Sequence, residues 1–354
     1  MSSRKTGAQQ KKQPCESWRW PMIEASERKQ ISGLLDKTFP DTKFDEPVML
    51  DGDASTRVYF RVKGDDQSSI IIMLAPDKSG IEVFGQTTLL FKALGVDTPS
   101  VYGVEGRSAA IEDLTDTLLQ DHVKNISTEA QVFEYQKIVD GLLSFQGAAL
   151  RHKERKSPCF NRAFDKEKLT QEIEFANNYF LKKYLGLSPS HSEMAVMRDQ
   201  WEMITARLAK KTPTLAHRDF HSRNIMVKGK RRVWIDYQDA RMGRFEYDLA
   251  SLVLDPYAGL PEKTSDQLVN YYYSKLPEII DKPPGYDDFM EIYILSAVQR
   301  LYKALGTFGY QSAIRGVDTY IEYIPIAVNS LLRLLRSRPD LKPLADTFEK
   351  YFTA

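Results

Sequence analysis

Cysteine is scarce in this chain: 354 residues hold two, Cys15 and Cys159, far apart and outside any Cys-x-x-Cys pair. That argues against a disulfide framework or a cysteine-built zinc site and fits a reducing, cytoplasmic compartment. Neither sign of charge dominates, since 49 basic and 48 acidic residues leave a formal net charge of +1. A protein that coats nucleic acid or an anionic membrane needs a basic surplus, so neither partner is expected. No run of about 18 apolar residues occurs, so no transmembrane helix is expected. The opening residues carry Arg4, Lys5, Lys11 and Lys12 but no hydrophobic stretch of the signal-peptide kind. Residues 1–20 therefore read as a disordered basic tail.

What is present suits a folded, two-part protein. Apolar residues make up 42% and charged residues 27% of the chain, and its length allows two lobes with their own cores. Ser26 to Gln30 opens an amphipathic helix with Ile31, Leu34 and Leu35 on one stripe and Pro40 after its end. Extended segments follow at Pro47–Leu50, Thr56–Val62 and Ile70–Leu74, the last a buried-strand run stopped by Ala75-Pro76. A helix around Phe84–Leu94, with Leu89, Leu90 and Ala93 inward, precedes strands at Ser100–Tyr102 and Ala109–Ile111. From about Leu118 the pattern is helical, interrupted only by one hairpin. The spacing predicts an α+β, two-lobed fold: residues 21–116 as a small lobe built on an antiparallel sheet, and 117–354 as a larger, mainly helical lobe.

That one hairpin carries the chemistry. His217-Arg218-Asp219-Phe220-His221-Ser222-Arg223-Asn224 is followed twelve residues after the Asn by Asp236, at the end of Trp234-Ile235. Two apolar stretches flank the basic Gly turn between them, so Asp236 is expected to fold back beside Asn224. Phosphoryl transfer from Mg-ATP needs one carboxylate to receive a proton and an Asn and an Asp to hold metal, in the order that protein kinases use. Asp219 is the candidate proton acceptor. Asn224 and Asp236 are the candidate Mg²⁺ ligands, with hard oxygens that suit that ion. Upstream, Asp51-Gly52-Asp53-Ala54-Ser55-Thr56-Arg57 reads as a phosphate-covering loop of small residues, with Ser55, Thr56 and Arg57 as ATP contacts, or as a plain β-turn. The segment Glu112 to Leu114 reads as the hinge, offering backbone groups to adenine. The strand Ile70–Leu74 lacks the lysine that a protein kinase carries there. Arg57, then Arg61 or Lys63, could replace it, and a non-catalytic ATP-binding module is the alternative.

The chain resembles the aminoglycoside phosphotransferase and choline kinase superfamily. The resemblance rests on His217-Arg218-Asp219 through Asn224, Ile235-Asp236, Gly243 and Asp248. Within it, several stretches are most similar to the bacterial N-acetylmuramate/N-acetylglucosamine anomeric kinases of cell-wall (peptidoglycan) sugar recycling. These are Gly52-Asp53-Ala54-Ser55-x-Arg57-x-Tyr59-Phe60-Arg61, Glu112-Asp113-Leu114, Tyr237-Gln238-Asp239-Ala240, Tyr247-Asp248-Leu249 and Gln299-Arg300-x-x-Lys303-x-x-Gly306-x-Phe308. The resemblance implies a protein-kinase-like fold, Mg²⁺ with ATP as cofactor, and a small-molecule sugar phosphorylated on its anomeric hydroxyl; an aminoglycoside or an amino alcohol such as choline is the alternative acceptor. Candidate sugar contacts are Arg223, Gln238, Asp239, Asp255 and Arg300, with Arg223 also a candidate partner of Asp219 or of the γ-phosphate. Tyr302, Phe308 and Tyr310 either stack on a sugar or pack in the core. His217 is expected to hold the loop, Gly243 to serve a turn, and Asp248 to cap a helix and brace the catalytic loop.

Overall fold

The computed structural model describes residues 24–50 and 57–352, so the expected basic tail and the loop residues 51–56, with Ser55 and Thr56, lie outside the described residues. Helix α1 (Ala25–Thr38) buries the stripe Ile31, Leu34 and Leu35. Strands β1 (Val48–Met49), β2 (Val58–Lys63) and β3 (Ser69–Leu74), helix α2 (Lys78–Ala93), and strands β4 (Val101–Glu105) and β5 (Ser108–Glu112) complete the small lobe in the expected order. The sheet runs β1-β2-β3-β5-β4, every pair antiparallel.

Strand β3 shows why its sequence is apolar throughout. Ile70, Ile72 and Leu74 pack beneath α1, while Ile71 and Met73 face the other way into the main core. A strand covered on both faces has no room for a solvated lysine. Helix α2 corrects the sequence reading: Leu89 is 71% exposed and Ala93 also faces water, whereas Phe84, Leu90 and Phe91 turn inward. The helix starts at Lys78, capped by Asp77, six residues earlier than its apolar run suggested. Its phase is set by the partner it meets, and that partner lies in the other lobe. Phe84 and Phe91 stack on Tyr237 at 5.8 and 4.9 Å, and the hydroxyls of Thr88 and Tyr237 lie 2.9 Å apart. One hydrophobic core thus runs through both lobes.

Past the hinge come α3 (Leu119–Lys124), α4 (Thr128–Arg151), α5 (Lys166–Ala176), a π-helical continuation over Asn177–Tyr184, and α6 (His191–Ala209). The central segment contains β6 (Thr214–Ala216), the hairpin β7 (Ile225–Lys228) and β8 (Arg231–Trp234), and β9 (Arg241–Gly243). Helices α7 (Phe245–Val253), α8 (Glu262–Lys275), α9 (Tyr286–Ala313), α10 (Ile324–Arg336) and α11 (Lys342–Phe352) follow. The expected hairpin forms, with Ile225 opposite Trp234 and Lys228 opposite Arg231, and Gly229 supplies the turn at φ +59°. The pair β6–β9 was not foreseen. It includes Gly243, which sits opposite Thr214 in a strand and serves no turn. A Cβ there would come within 3.0 Å of the Ala216 methyl and 3.1 Å of the Phe164 ring, so close packing is what requires glycine. Among the described residues no helix is long and apolar enough to cross a membrane.

Candidate active site

Strand β6 delivers the chain into a loop that its own residues anchor from inside. His217 is fully buried, its Nε2 3.0 Å from the Ile235 carbonyl oxygen, and Phe220 packs on Trp234 at 4.4 Å. Burial pulls the His217 imidazole down to about 4, so the ring is neutral and fastens the loop to β8. Two buried carboxylates hold the backbone from below. Asp248 accepts the N–H groups of His217 (2.6 Å) and Arg218 (3.1 Å), and Asp255 accepts that of Ser222 (2.8 Å). Asp248 lies inside the first turn of α7, whose N-cap is Arg244, so it braces the loop and does not cap the helix. Asp255 does the same work at the loop's other end, and its own Tyr257 N–H (2.9 Å) completes its shell. Arg218 at φ +85° and Asp236 at φ +60° adopt left-handed backbone that a non-glycine residue takes up only where its surroundings enforce it.

These braces bring Asp219, Asn224 and Asp236 together. The Asn224 side-chain amide donates to the Asp219 carbonyl (2.8 Å), and the Ile235 N–H donates to the Asn224 carbonyl (3.0 Å), which sets Asp236 beside both. The two carboxylates have opposite surroundings. Burial works to raise the pKa of Asp219, but Lys303 (Nζ to Oδ1 2.7 Å), Arg218 (3.8 Å) and Arg300 (3.9 Å) outweigh it and hold the group well below the usual range. Asp236 is open to water yet surrounded by protein, which pushes its carboxyl up to about 6 against a hydrogen bond from Gln238 Nε2 (2.7 Å); the negative charge of Asp219 adds to the rise. Arg57, the residue before β2, contributes positive potential to Asp236. Arg61 does not reach the site: its guanidinium is spread over Asp113 (2.7 and 3.1 Å) and Asp116 (2.7 Å). Lys63 lies exposed at the far end of the strand.

At the hinge, Glu112 is gripped by Arg231 (2.5 Å) and Lys228 (3.1 Å) of the hairpin; burial opposes these cations, which still bring its carboxyl to about 2. Leu114 packs with Met226 and Val233 as a small apolar floor. The residues proposed for a sugar are mostly occupied. Gln238 holds Asp236, Asp239 pairs with Arg218 (3.2 Å), and Arg300 Nε donates to the Ser251 hydroxyl (3.0 Å). Arg223 donates to Gln120 (2.8 Å) and to the Tyr323 hydroxyl (3.0 Å), and its guanidinium lies 4.1 Å from the Tyr257 ring. Among the described residues the cations beside Asp219 are Lys303, Arg218 and Arg300. Tyr302 and Phe308 are core residues, and Tyr310 packs against Phe175 and Tyr179. The sequence reading named Lys303 in one of the similar stretches but gave it no role at the site, and it did not name the buried Glu172. The signal for Lys303 was the cationic pair Arg300 and Lys303 one helical turn apart.

Residues 49–280, more than half of the chain, match the family described as APH, Phosphotransferase enzyme family. The N-acetylmuramate/N-acetylglucosamine kinase of Neisseria meningitidis is 27% identical over 318 residues, covering 89% of this chain and 93% of that protein. The kinase of the same name from Pseudomonas aeruginosa is 25% identical over 304 residues, covering 85% and 87%. Among solved structures, the ADP-bound aminoglycoside phosphotransferase APH(2'')-Ib superposes with a TM-score of 0.55 at 16% identity, covering 90% of this chain and 98% of that one. A choline/ethanolamine kinase family protein from Mesorhizobium loti gives 0.57 at 12% identity, covering 93% and 100%. The two-lobed, protein-kinase-like fold is common to them.

Proposed function

The chain belongs to the phosphotransferase enzyme family, and we propose that it transfers the γ-phosphoryl group of ATP to the anomeric hydroxyl of N-acetylmuramate or N-acetylglucosamine. The acceptor oxygen forms a bond to the γ-phosphorus, the bond from that phosphorus to the β–γ bridging oxygen breaks, and ADP leaves with the bridging oxygen. Asp219 takes the hydroxyl proton. The observation that carries the reading is that loop and hairpin gather Asp219, Asn224 and Asp236: the Asn224 amide donates to the Asp219 carbonyl (2.8 Å), the Ile235 N–H donates to the Asn224 carbonyl (3.0 Å), and Asp219 is paired with Lys303 (2.7 Å).

The donor set fits a magnesium ion carried in by the nucleotide. Asn224 offers its amide oxygen once its nitrogen is committed to Asp219, and Asp236 offers a carboxylate oxygen beside it, its other oxygen held by Gln238 Nε2 (2.7 Å). No group of three or more His, Cys, Asp or Glu side chains gathers for a metal among the described residues, so phosphate oxygens would complete the shell. The ion supplies charge neutralisation of the phosphates when bound. Around it the chain's own residues orient: Gln238 fixes Asp236, Arg57 faces the phosphate side, and Glu112 to Leu114 form the hinge against which adenine rests. A product of this kind, a sugar 1-phosphate, suits recycling of cell-wall amino sugars in the cytoplasm.

The acceptor side supports this choice over the family's other acceptors. A polycationic aminoglycoside calls for an acidic pocket, whereas Asp219 is ringed by Lys303, Arg218 and Arg300. A quaternary ammonium calls for an aromatic cage, and the cage of Tyr257, Tyr320 and Tyr323 holds the guanidinium of Arg223. The test is a panel assay with Mg-ATP and N-acetylmuramate, N-acetylglucosamine, choline or kanamycin, read by ADP release and the phosphorus NMR of the product. Phosphate on the anomeric oxygen of an amino sugar is expected. Phosphate on its C6 hydroxyl, or turnover of choline or kanamycin alone, contradicts the proposal.

A further inference from the structure

We propose that Lys303 is a positioning residue for the reaction, acting through Asp219. The inference rests on the proposed reading of Asp219 as proton acceptor and extends it to a residue on α9, 84 positions away in the chain. The Lys303 side chain is 11% exposed, and its ammonium donates to Asp219 Oδ1 at 2.7 Å. That bond leaves Oδ2 as the oxygen for the acceptor hydroxyl and fixes the plane of the carboxylate. Burial pulls the Lys303 ammonium down to about 8, and the negative charges of Asp219 and of Glu172 on α5 oppose that fall; Glu172, 6% exposed, is itself held by Gln299 (3.0 Å), Lys168 (3.4 Å) and Arg218 (3.7 Å).

The packing gives Lys303 little slack. Next to it on α9, Gly306 lies so close to α5 that a Cβ would sit 2.7 Å from Ala176 Cα. Gly309 is tighter still, with a Cβ 2.6 Å from the Tyr179 carbonyl oxygen. Two helices in backbone contact fix the height from which the lysine reaches. On its other flank α9 is tied to α7 by Arg300 Nε and the Ser251 hydroxyl, and α7 also carries the brace Asp248. The loop is therefore aimed from below by α7 and from the acceptor side by α9. A purely structural ion pair would not need its two partners at the reacting centre; here one of them is the proposed proton acceptor itself. A carboxylate free to rotate by an ångström loses about a hundredfold in rate, which sets the effect expected of removing the lysine.

The test uses the full chain and the acceptor that the wild-type protein turns over. Lys303→Met should lower kcat about a hundredfold with the KM for ATP unchanged. Lys303→Arg should recover part of that loss, and ethylammonium added to Lys303→Ala should restore turnover in a saturable way. The sharpest readout is a double-mutant comparison: Asp219→Asn with Lys303→Met should be no slower than Asp219→Asn alone, because the lysine acts only through that carboxylate. Multiplying losses would overturn the proposal, as would a loss confined to the KM for ATP, which would make Lys303 a phosphate ligand. An unfolded Lys303→Met leaves the amine-rescue and arginine variants to decide, and failure of both also overturns it. A wild-type protein that turns over no acceptor sinks the functional reading and this inference together, while an active wild type with unaffected variants sinks only the inference.

Discussion

Asp219 and Asp236 lie seventeen residues apart in the chain and close together in the fold, yet their surroundings are opposite. Three cations from two different elements hold Asp219 ionised. Asp236 has a neutral amide from Gln238 and the more distant charge of Arg57, and the protein around it raises its pKa to about 6. Among the described residues Asp219 has its counter-charge in place, and Asp236 has no cation within ion-pair distance. On the proposed reading a divalent ion with the nucleotide phosphates would supply that charge. One carboxylate then stays anionic and the other receives a cation, and the two are separated electrostatically within one loop and hairpin. The buried braces Asp248 and Asp255 make that separation rigid.

Breaking either half tests the contrast. The largest effect is expected from Asp219→Asn, which should lower turnover about a thousandfold while the protein stays folded and binds nucleotide, as followed by ADP release and thermal melting. Asp236→Asn should cost about a hundredfold in turnover, with loss of the magnesium-dependent stabilisation by nucleotide. The same substitution sharpens the electrostatic side. An acid whose pKa rises on folding, from 3.8 to about 6 here, contributes stability below pH 3.8 that is lost as the pH rises through 6. Nucleotide-free Asp236→Asn should therefore melt about 2 °C above wild type at pH 8 and level with it at pH 3.5, a small figure because water reaches the group. Smaller still is Gln238→Ala, which removes the holder of Asp236 and should raise the magnesium concentration for half-maximal turnover about tenfold. An unchanged magnesium requirement there would mean that Gln238 does not orient the ligand.

How much of this was legible depended on whether the partner was near in sequence. The α1 stripe, the doubly buried β3 and the hairpin that returns Asp236 to Asn224 all follow from local periodicity and turn chemistry, and the structure has them where the sequence put them. The facing of α2 was misjudged at Leu89 and Ala93 because its phase is decided by Tyr237, some 150 residues on. Gly243 looked like a turn because its reason, the Phe164 ring and the Ala216 methyl, is tertiary. At the site, the candidate carboxylates Asp219 and Asp236 could be expected side by side because one short loop-and-hairpin motif carries both. Their environment could not: Lys303 and Glu172 come from helices on either side of that motif, and Asp255 looked like a sugar contact until its hydrogen bonds to Ser222 were seen. Side chains that serve one another across the fold leave at most a local trace, as Arg300 and Lys303 one turn apart did, and none of the partner they serve.

Binding of a non-hydrolysable ATP analogue, titrated with and without magnesium, tests the division of labour most directly. The expected result is magnesium-dependent binding that survives Asp219→Asn and disappears in Asp236→Asn, although both variants have lost turnover. Equal, magnesium-independent binding by the two variants would contradict it, because the carboxylates would then not differ in the way that their surroundings require.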